Sequence, residues 1–336
     1  MRLLASGMED LGDGAETATA LSGAGGVFVF PGVPAGSYTV DVRRTVSQLT
    51  SGTATGPTLP QAPMPPGSWY ASLNTPVAVG PDSMYLQYRV PPGDSTYWGR
   101  APLTVDRQDI ANLIVPMMRT GSITGRAVFE SSGSSAPPRL LLAGAEPADG
   151  NVSHGSPAGL FANFNDPGVF AVEGLLPGRY YLRFRTTTTS AVKSIVWNGR
   201  DVTYVPFDTS ESHDFADVVV TFTDKKIAFG GVVRDAQGQP ATGAIVAAFP
   251  VERAQWTNCG LDPPRLRQSL ADNTGTFRHQ TLPAGEYFVV GLDPGQSDGW
   301  RDPKFLEAAA ALATRVTFEW GDTKTLDVKV VHVQVR

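Results

Sequence analysis

The chain has 336 residues, with 36 glycines and 27 prolines spread along its length, as in an all-β protein with many turns. Apolar residues make up 41%, enough to build hydrophobic cores, so a wholly disordered chain is excluded. The net charge of −5 gives no basic surface for nucleic acid. The sequence has no apolar run long enough to cross a membrane as a helix.

One stretch of sequence occurs three times, at Gly26–Val40, Gly168–Leu182 and Gly275–Val290. Each copy has a Gly, a Phe two residues later, a Pro and Gly turn, and a Tyr 12 residues after the first Gly. Because Pro fixes φ and Gly tolerates positive φ, the pattern predicts a strand, a tight turn and a second strand. We expect the shared aromatic residues to be mostly buried at equivalent positions: Phe28, Phe170, Phe277, Tyr38, Tyr180 and Tyr287.

The strand after each turn alternates between apolar and polar residues. In the first copy Tyr38, Val40 and Val42 share one face, while Asp41 and Arg43 share the other. This period of two predicts a strand packed on one side only, as in a β-sandwich. The Tyr after the turn has two interpretations: a tyrosine corner whose hydroxyl binds nearby backbone, or a side chain that fills the rim of the core.

The first predicted domain covers residues 1–120 and lacks its opening strand. Arg2-Leu3-Leu4 matches Arg139-Leu140-Leu141, which belongs to the second strand of the next copy. We therefore expect a fragment of a longer exported protein. Residues 47–67 predict a long Pro-rich loop, and strands are expected at Ser83–Val90 and Ile110–Met117.

The second and third predicted domains cover residues 121–226 and 227–336. In the second, Asn198-Gly199 between two apolar runs predicts a hairpin within Ser194–Val205. Aligning Gly125 with Gly230 gives a period of 105 residues, close to the size of one immunoglobulin-like sandwich. In the third, Asp302-Pro303 predicts a short helix near residues 303–313 that covers one end of the sandwich. The expected fold class is therefore all-β, with three tandem antiparallel β-sandwich domains.

The third copy resembles the carboxypeptidase regulatory-like domain, a small transthyretin-like β-sandwich. The resemblance rests on a first strand with its turn, a second strand and the repeated stretch: Gly231, Val233, Asp235, Gly238, Pro240, Gly243, Ala244, Val246, Gly275, Phe277, Leu282, Pro283, Gly285 and Tyr287. The second copy departs from the pattern in its first turn, and the first copy lacks the opening strand. The segments Trp197–Val202 and Asp302–Val328 look like parts of multi-copy envelope proteins of soil bacteria.

The resemblance implies an accessory module that spaces, supports or binds, and it brings no catalytic residues. It implies an extracellular or periplasmic location at the cell envelope, with a protein or a glycan as partner. The histidines His154, His213, His279 and His332 show no metal-ligand spacing, and we predict neither a metal site, a cofactor nor an enzyme. We expect His279 to be a hydrogen-bonded core residue and Cys259, the single cysteine, to have no depressed pKa.

Three tryptophans, Trp98, Trp256 and Trp300, are the candidate ligand surface. Aromatic side chains in loops can stack on sugar rings or anchor a protein partner. Alternatively, these rings close the ends of the sandwiches over gaps in the core. Two functions follow: a non-catalytic structural or interaction array, or carbohydrate-binding modules that use loop aromatics.

Overall fold

The computed structural model describes residues 1–9, 11, 14–44, 48–53, 70–71, 84–89, 97–130, 140–151, 161–162, 168–186, 190–210, 214–279, 282–296 and 299–335. The chain is all-β, with antiparallel and mixed sheets, and the described residues contain one α-helix. His154 and His213 lie outside the described residues. We refer to residues 1–120, 121–226 and 227–336 as the first, second and third units.

The described part of the first unit contains eight strands: β1 (Arg2–Ala5), β2 (Glu16–Thr19), β3 (Gly36–Arg44), β4 (Gln48–Thr53), β5 (Tyr70–Ala71), β6 (Met84–Arg89), β7 (Tyr97–Val105) and β8 (Met118–Arg119). One sheet has the order β2-β1-β3-β7-β8, and β4, β6 and β5 form a separate sheet. The prediction of a loop throughout 47–67 is wrong at Gln48–Thr53, because this segment pairs with β6. The rest of that stretch lies outside the described residues.

The second unit is a sandwich of two sheets. Its strands are β9 (Gly121–Glu130), β10 (Leu140–Pro147), β11 (Phe161–Ala162), β12 (Val169–Leu175), β13 (Arg179–Thr186), β14 (Ala191–Trp197), β15 (Arg200–Asp201), β16 (Phe207–Asp208) and β17 (Asp214–Thr223). The sheet β11-β12-β9-β17-β14-β15 packs on the sheet β10-β13-β16 through one shared core. Asn198 and Gly199 both have positive φ and join β14 to β15, so the predicted hairpin turn is confirmed.

The third unit adds a helix to the same plan. Its elements are β18 (Ala228–Arg234), β19 (Ile245–Pro250), β20 (Arg267–Leu270), β21 (Thr276–His279), β22 (Gly285–Leu292), α1 (Pro303–Ala310), β23 (Thr314–Phe318), β24 (Thr323–Thr325) and β25 (Val328–Val331). The strand order is β20-β19-β22-β25-β18-β21, with β23 beside β22 and β24 beside β18. Most strand pairs are antiparallel, but the opening strands β9 and β18 also run parallel to the closing strands β17, β24 and β25.

The strand β19 is buried on both faces, which explains where the helix lies. Val246 and Ala248 point into the core between the sheet layers, whereas Ile245 and Phe249 point into a second core that includes Leu306 of α1. A continuous apolar run is what a strand covered on both sides requires. The helix therefore covers a face of the sheet rather than one end of the sandwich. It begins at Pro303 as predicted, with Asp302 accepting from the Lys304 N–H, and ends at Ala310 rather than near residue 313.

The repeated stretch occupies equivalent places in the second and third units. Phe170 on β12 faces Gly125 on β9, and Phe277 on β21 faces Gly231 on β18. The structure therefore aligns Gly125 with Gly231, whereas the sequence alignment paired Gly125 with Gly230. A Cβ on Gly125 would lie 1.9 Å from the Val218 carbonyl oxygen, and one on Gly231 would lie 2.0 Å from that of Leu326. The opening strand thus needs a glycine where the closing segment approaches.

The first unit departs from this plan because no described strand occupies the place of β9 or β18. Residues 27–30 form no strand, and Phe28 is partly exposed whereas Phe170 and Phe277 are fully buried, so the first copy does not place its Phe at an equivalent position. The predicted strand Ile110–Met117 is also not formed, and a short strand follows at Met118. Among the strands that the structure describes, none pairs with either segment.

The tyrosine corner forms in the first and third units. The Tyr38 hydroxyl donates to the Pro34 carbonyl at 3.0 Å, and the Tyr287 hydroxyl donates to the Pro283 carbonyl at 2.8 Å. Tyr180 is also buried, but the corresponding carbonyl of Leu176 accepts the Thr209 hydroxyl at 2.6 Å. The two interpretations of this Tyr therefore hold together: it fills the core, and in two units its hydroxyl fixes the turn.

Candidate functional site

The three tryptophans of the candidate ligand surface lie in different environments. Trp256 is 5% exposed and Trp300 is 4% exposed, and both belong to the second core of the third unit beside α1. Trp256 Nε1 donates to the Pro250 carbonyl at 2.8 Å, which satisfies its polar atom inside the protein. The expectation of an exposed ligand surface at these two residues is therefore corrected: their rings fill the core that covers the outer face of β19.

Trp98 is half-buried on the first sheet, beside a cluster of charged side chains. The guanidinium of Arg100 lies over its ring at 5.6 Å. The side chain of Asp41 is fully buried and meets Arg100 at 2.9 Å, Arg43 at 3.2 Å and Arg2 at 3.7 Å. Burial alone would raise the pKa of Asp41, but the Arg100 hydrogen bond and the three positive charges hold that pKa below its usual value.

His279 is a core residue, as expected. Its Nε2 lies 3.0 Å from the Ser269 hydroxyl and 3.2 Å from the Val246 carbonyl, and its ring stacks on Phe229. Burial lowers the pKa of His279 to about 4, so the ring is neutral at pH 7. The described residues contain no cluster of three or more His, Cys, Asp or Glu side chains that could hold a metal ion.

The most elaborate polar site lies where the second unit meets the third. Glu146, near the end of β10, accepts hydrogen bonds from Arg183 on β13 and from the backbone N–H groups of Leu261 and Asp262 in the third unit. The Gly260 N–H donates to the Ala148 carbonyl at 2.9 Å. Gly260 has positive φ, and a Cβ there would lie 2.5 Å from Glu146 Oε1. The positive φ and the close approach both favour glycine at this position of the loop 256–266. We call this set of contacts the junction.

A second set of contacts completes the junction. The guanidinium of Arg265 lies between two rings, 5.1 Å from that of Tyr204 in the second unit and 4.8 Å from that of Tyr287 in the third. Arg265 also donates to the Tyr287 hydroxyl at 3.3 Å and to the Glu286 carbonyl at 2.9 Å. Burial raises the pKa of Tyr204 to about 12. The junction thus connects the tyrosine corner of one unit to the hairpin of the other.

The junction buries a face that the sequence predicts to be solvated. Tyr181 and Arg183 alternate with the core residues Tyr180 and Leu182, so period two places them on the outer face of β13. In the structure Tyr181 is buried and Arg183 lies over its ring at 5.2 Å, while Cys259 of the third unit lies close by. Burial raises the pKa of the Cys259 thiol, in agreement with the expectation that nothing depresses it. Sequence reasoning missed Glu146, Arg183 and Arg265, because only the fold brings them together.

Beside the junction lies a cleft of about 200 Å³. Its lining combines small apolar groups with an acid, an amide, a guanidinium and a tyrosine: Pro147, Ala148, Asp149, Pro177, Gly178, Arg179, Tyr180 and Asn258. Asn258 has a φ of 49°, which places it on a tight turn of the loop 256–266.

Comparison with known proteins yields distant structural similarities only. No family model matches the sequence, and no curated protein matches it. The minor pilin GBS52 of Streptococcus agalactiae is 16% identical over 62% of this chain and 95% of its own, with a TM-score of 0.27. The shaft pilin SpaA of Lactobacillus rhamnosus GG is 12% identical over 64% of this chain and 98% of its own, with a TM-score of 0.24. Hydroxyquinol 1,2-dioxygenase of Pseudomonas putida is 13% identical over 32% of this chain and 57% of its own, with a TM-score of 0.20.

Proposed function

We propose that this chain is a non-catalytic structural or interaction array of carboxypeptidase regulatory-like β-sandwich modules in an exported bacterial protein. The three modules meet near residues 120 and 226, and the partner is a protein or a glycan at the cell envelope. No helix in the described part of the chain is long and apolar enough to cross a membrane. The observation that carries the proposal is the junction, because a spacer must hold its modules in a fixed orientation.

The junction suits a spacer because its contacts are directional and sheltered from water. Glu146 has a side chain that is 14% exposed and accepts three hydrogen bonds from two units, so its charge is satisfied across the interface. Hydrogen bonds to a charged group are each worth about 1.5–3 kcal/mol, which is enough to oppose free rotation of two domains. The stack of Tyr204, Arg265 and Tyr287 adds a second point of contact, which restricts rotation of one unit about the first point.

The test compares Glu146→Ala with Glu130→Ala by small-angle X-ray scattering and thermal unfolding. Glu130 pairs with Lys193 at 2.7 Å within the second unit, so its variant loses an ion pair without touching the junction. Glu146→Ala should increase the radius of gyration and separate the unfolding of the second and third units, whereas Glu130→Ala should do neither. Unchanged scattering and unfolding in Glu146→Ala would count against the spacer.

A separate experiment tests the proposed location. Antibodies raised against the chain should label the surface or the periplasmic fraction of the source cells.

Carbohydrate binding is the second candidate function, and the cleft beside the junction favours it. Asp149, Arg179 and Asn258 offer charged and amide groups for sugar hydroxyls, and the buried Tyr180 contributes to the lining. Since Trp256 and Trp300 are buried, Trp98 is the remaining aromatic candidate. Glycan-array binding by the full chain should disappear in Arg179→Ala if the cleft is the site, and in Trp98→Ala if the first unit is the site. An array with no positive signal would reject this function.

A further inference from the structure

The repeated Tyr uses its hydroxyl differently in the second unit. In the first and third units the hydroxyl donates to the carbonyl four residues earlier. In the second unit the corresponding carbonyl, that of Leu176, accepts the Thr209 hydroxyl at 2.6 Å. The Thr209 hydroxyl also accepts the Gly178 N–H at 3.1 Å, so Thr209 holds this turn in place of the Tyr. The Tyr180 hydroxyl is therefore left available for another partner.

The Tyr180 hydroxyl lies in the wall of the cleft beside the junction. Tyr180 is 4% exposed and lines the cleft together with Gly178. A Cβ on Gly178 would lie 3.4 Å from the hydroxyl oxygen, so the two share one stretch of the wall. Within the described part of the chain, no hydrogen bond satisfies this hydroxyl. A buried polar group without a partner costs free energy, and a bound ligand can supply the partner.

The charges around this hydroxyl are balanced. Asp149 and Arg179 are exposed members of the cleft lining, and their charges cancel. An anion would be repelled by the Asp149 carboxylate and a cation by the Arg179 guanidinium, so the lining favours a neutral ligand. Burial raises the pKa of Tyr180 to about 12, while the charges of Asp149 and Arg43 act on it in opposite directions. The hydroxyl is therefore protonated at neutral pH and can both donate and accept a hydrogen bond.

The size and the remaining lining of the cleft narrow the ligand further. Its volume of about 200 Å³ is below the roughly 300–1,000 Å³ of pockets for drug-sized ligands, so it holds one small ring. Pro147 and Pro177 give it apolar walls, and the Asn258 amide adds a donor and an acceptor. A sugar ring matches these groups, because it has apolar C–H faces and hydroxyls that donate and accept. Asn258 belongs to the third unit and the other lining residues to the second, so the ligand would contact both units.

We propose that the cleft binds one neutral hexose unit and that the Tyr180 hydroxyl fixes its position. The Tyr180 hydroxyl binds one sugar hydroxyl inside the cleft. Asp149, Arg179 and Asn258 bind the outward-facing sugar hydroxyls. This inference rests on the second candidate function and deepens it, because it names the class of ligand and the side chain that positions it. The spacer role is tested separately, through Glu146.

Saturation-transfer difference NMR on the full chain tests the site with defined sugars. The probes are the methyl glycosides of glucose, galactose, mannose and N-acetylglucosamine, with glucuronate as the charged comparison. We expect at least one neutral glycoside to bind, with amide chemical-shift changes at Ala148, Gly178 and Asn258. Tyr180→Phe should weaken this binding about fivefold or more, because one hydrogen bond to the sugar is lost.

Tyr38→Phe is the matched control, because it removes the same hydroxyl from the first unit. It should leave sugar binding unchanged. Tyr180→Phe should keep its fold, since Thr209 keeps the Leu176 carbonyl satisfied. Equal sugar binding by the wild-type chain and Tyr180→Phe would overturn this inference and leave carbohydrate binding at another site of the chain. Binding of glucuronate alone would overturn the neutral ligand. If no sugar bound, the inference and the second candidate function would both fail, whereas the scattering test of the spacer would be unaffected.

Discussion

Replacing Tyr287 with Phe removes one buried hydroxyl that joins the repeated turn to the junction. The ring is fully buried in the core of the third unit, and Phe fills nearly the same volume, so the variant keeps the packing of that core. The hydroxyl donates to the Pro283 carbonyl at 2.8 Å and accepts from Arg265 Nε at 3.3 Å. The guanidinium still lies over the ring in the variant. The change therefore isolates two hydrogen bonds at a single atom.

The expected cost follows from what those partners lose. An unsatisfied buried polar group costs about 1–3 kcal/mol. The Pro283 carbonyl loses a short bond inside the protein, while Arg265 loses its longest contact and keeps Glu286, Gln255 and Glu252. We therefore expect Tyr287→Phe to lower the free energy of unfolding by about 2 kcal/mol. For a domain of this size that loss lowers the melting temperature by roughly 8 °C.

The assay is urea unfolding followed by tryptophan fluorescence, since Trp256 and Trp300 report on the third unit. Tyr180→Phe is the matched control in the second unit. The carbonyl of Leu176, which corresponds to that of Pro283, already accepts the Thr209 hydroxyl at 2.6 Å, so this variant should lose less than about 1 kcal/mol. If Tyr287→Phe cost no more than Tyr180→Phe, the hydroxyl would not stabilise the turn and the reasoning would be refuted.

Four further predictions concern individual positions. The pKa of His279 is about 4 in the folded chain and 6.5 when unfolded, so protonation favours unfolding. The free energy of unfolding should therefore fall by about 3 kcal/mol as the pH drops from 6.5 to 4. In urea titrations at several pH values, His279→Phe should abolish this dependence. The pKa of Asp41 is lowered by folding, so its stabilisation is present above its unfolded pKa and lost as the pH falls through the folded value; Asp41→Asn should flatten the acid limb of first-unit melting. Gly125→Ala should lower the free energy of unfolding by about 3 kcal/mol, as measured by thermal unfolding. The control Gly168→Ala should change it little, because the added Cβ would meet its nearest atom at 3.4 Å. Limited proteolysis should cut the first unit before the others, because the described part of its core has few buried members; equal resistance across the chain would contradict this.

The alternating strands and turns of this protein were predictable from sequence, because they depend on local chemistry. The positive φ values of Asn198 and Gly199 and the cap of Asp302 on the Lys304 N–H are set by neighbouring residues. The threefold stretch also predicted which Tyr and Phe side chains are buried in the second and third units. Phe28 is less buried than Phe170 and Phe277, because full burial requires a neighbouring strand that no local pattern supplies.

Tertiary structure alone decided the functional candidates. Tyr181 and Arg183 follow the same alternation as solvated residues, yet the loop 256–266 covers them, because a period of two gives the face of a strand but not what lies against it. Likewise, the loop positions of Trp256 and Trp300 did not reveal the second core, which exists because β19 is apolar on both faces. Sequence therefore determined the repeating strands and turns, whereas contacts between distant segments decided which faces meet water and which meet another unit.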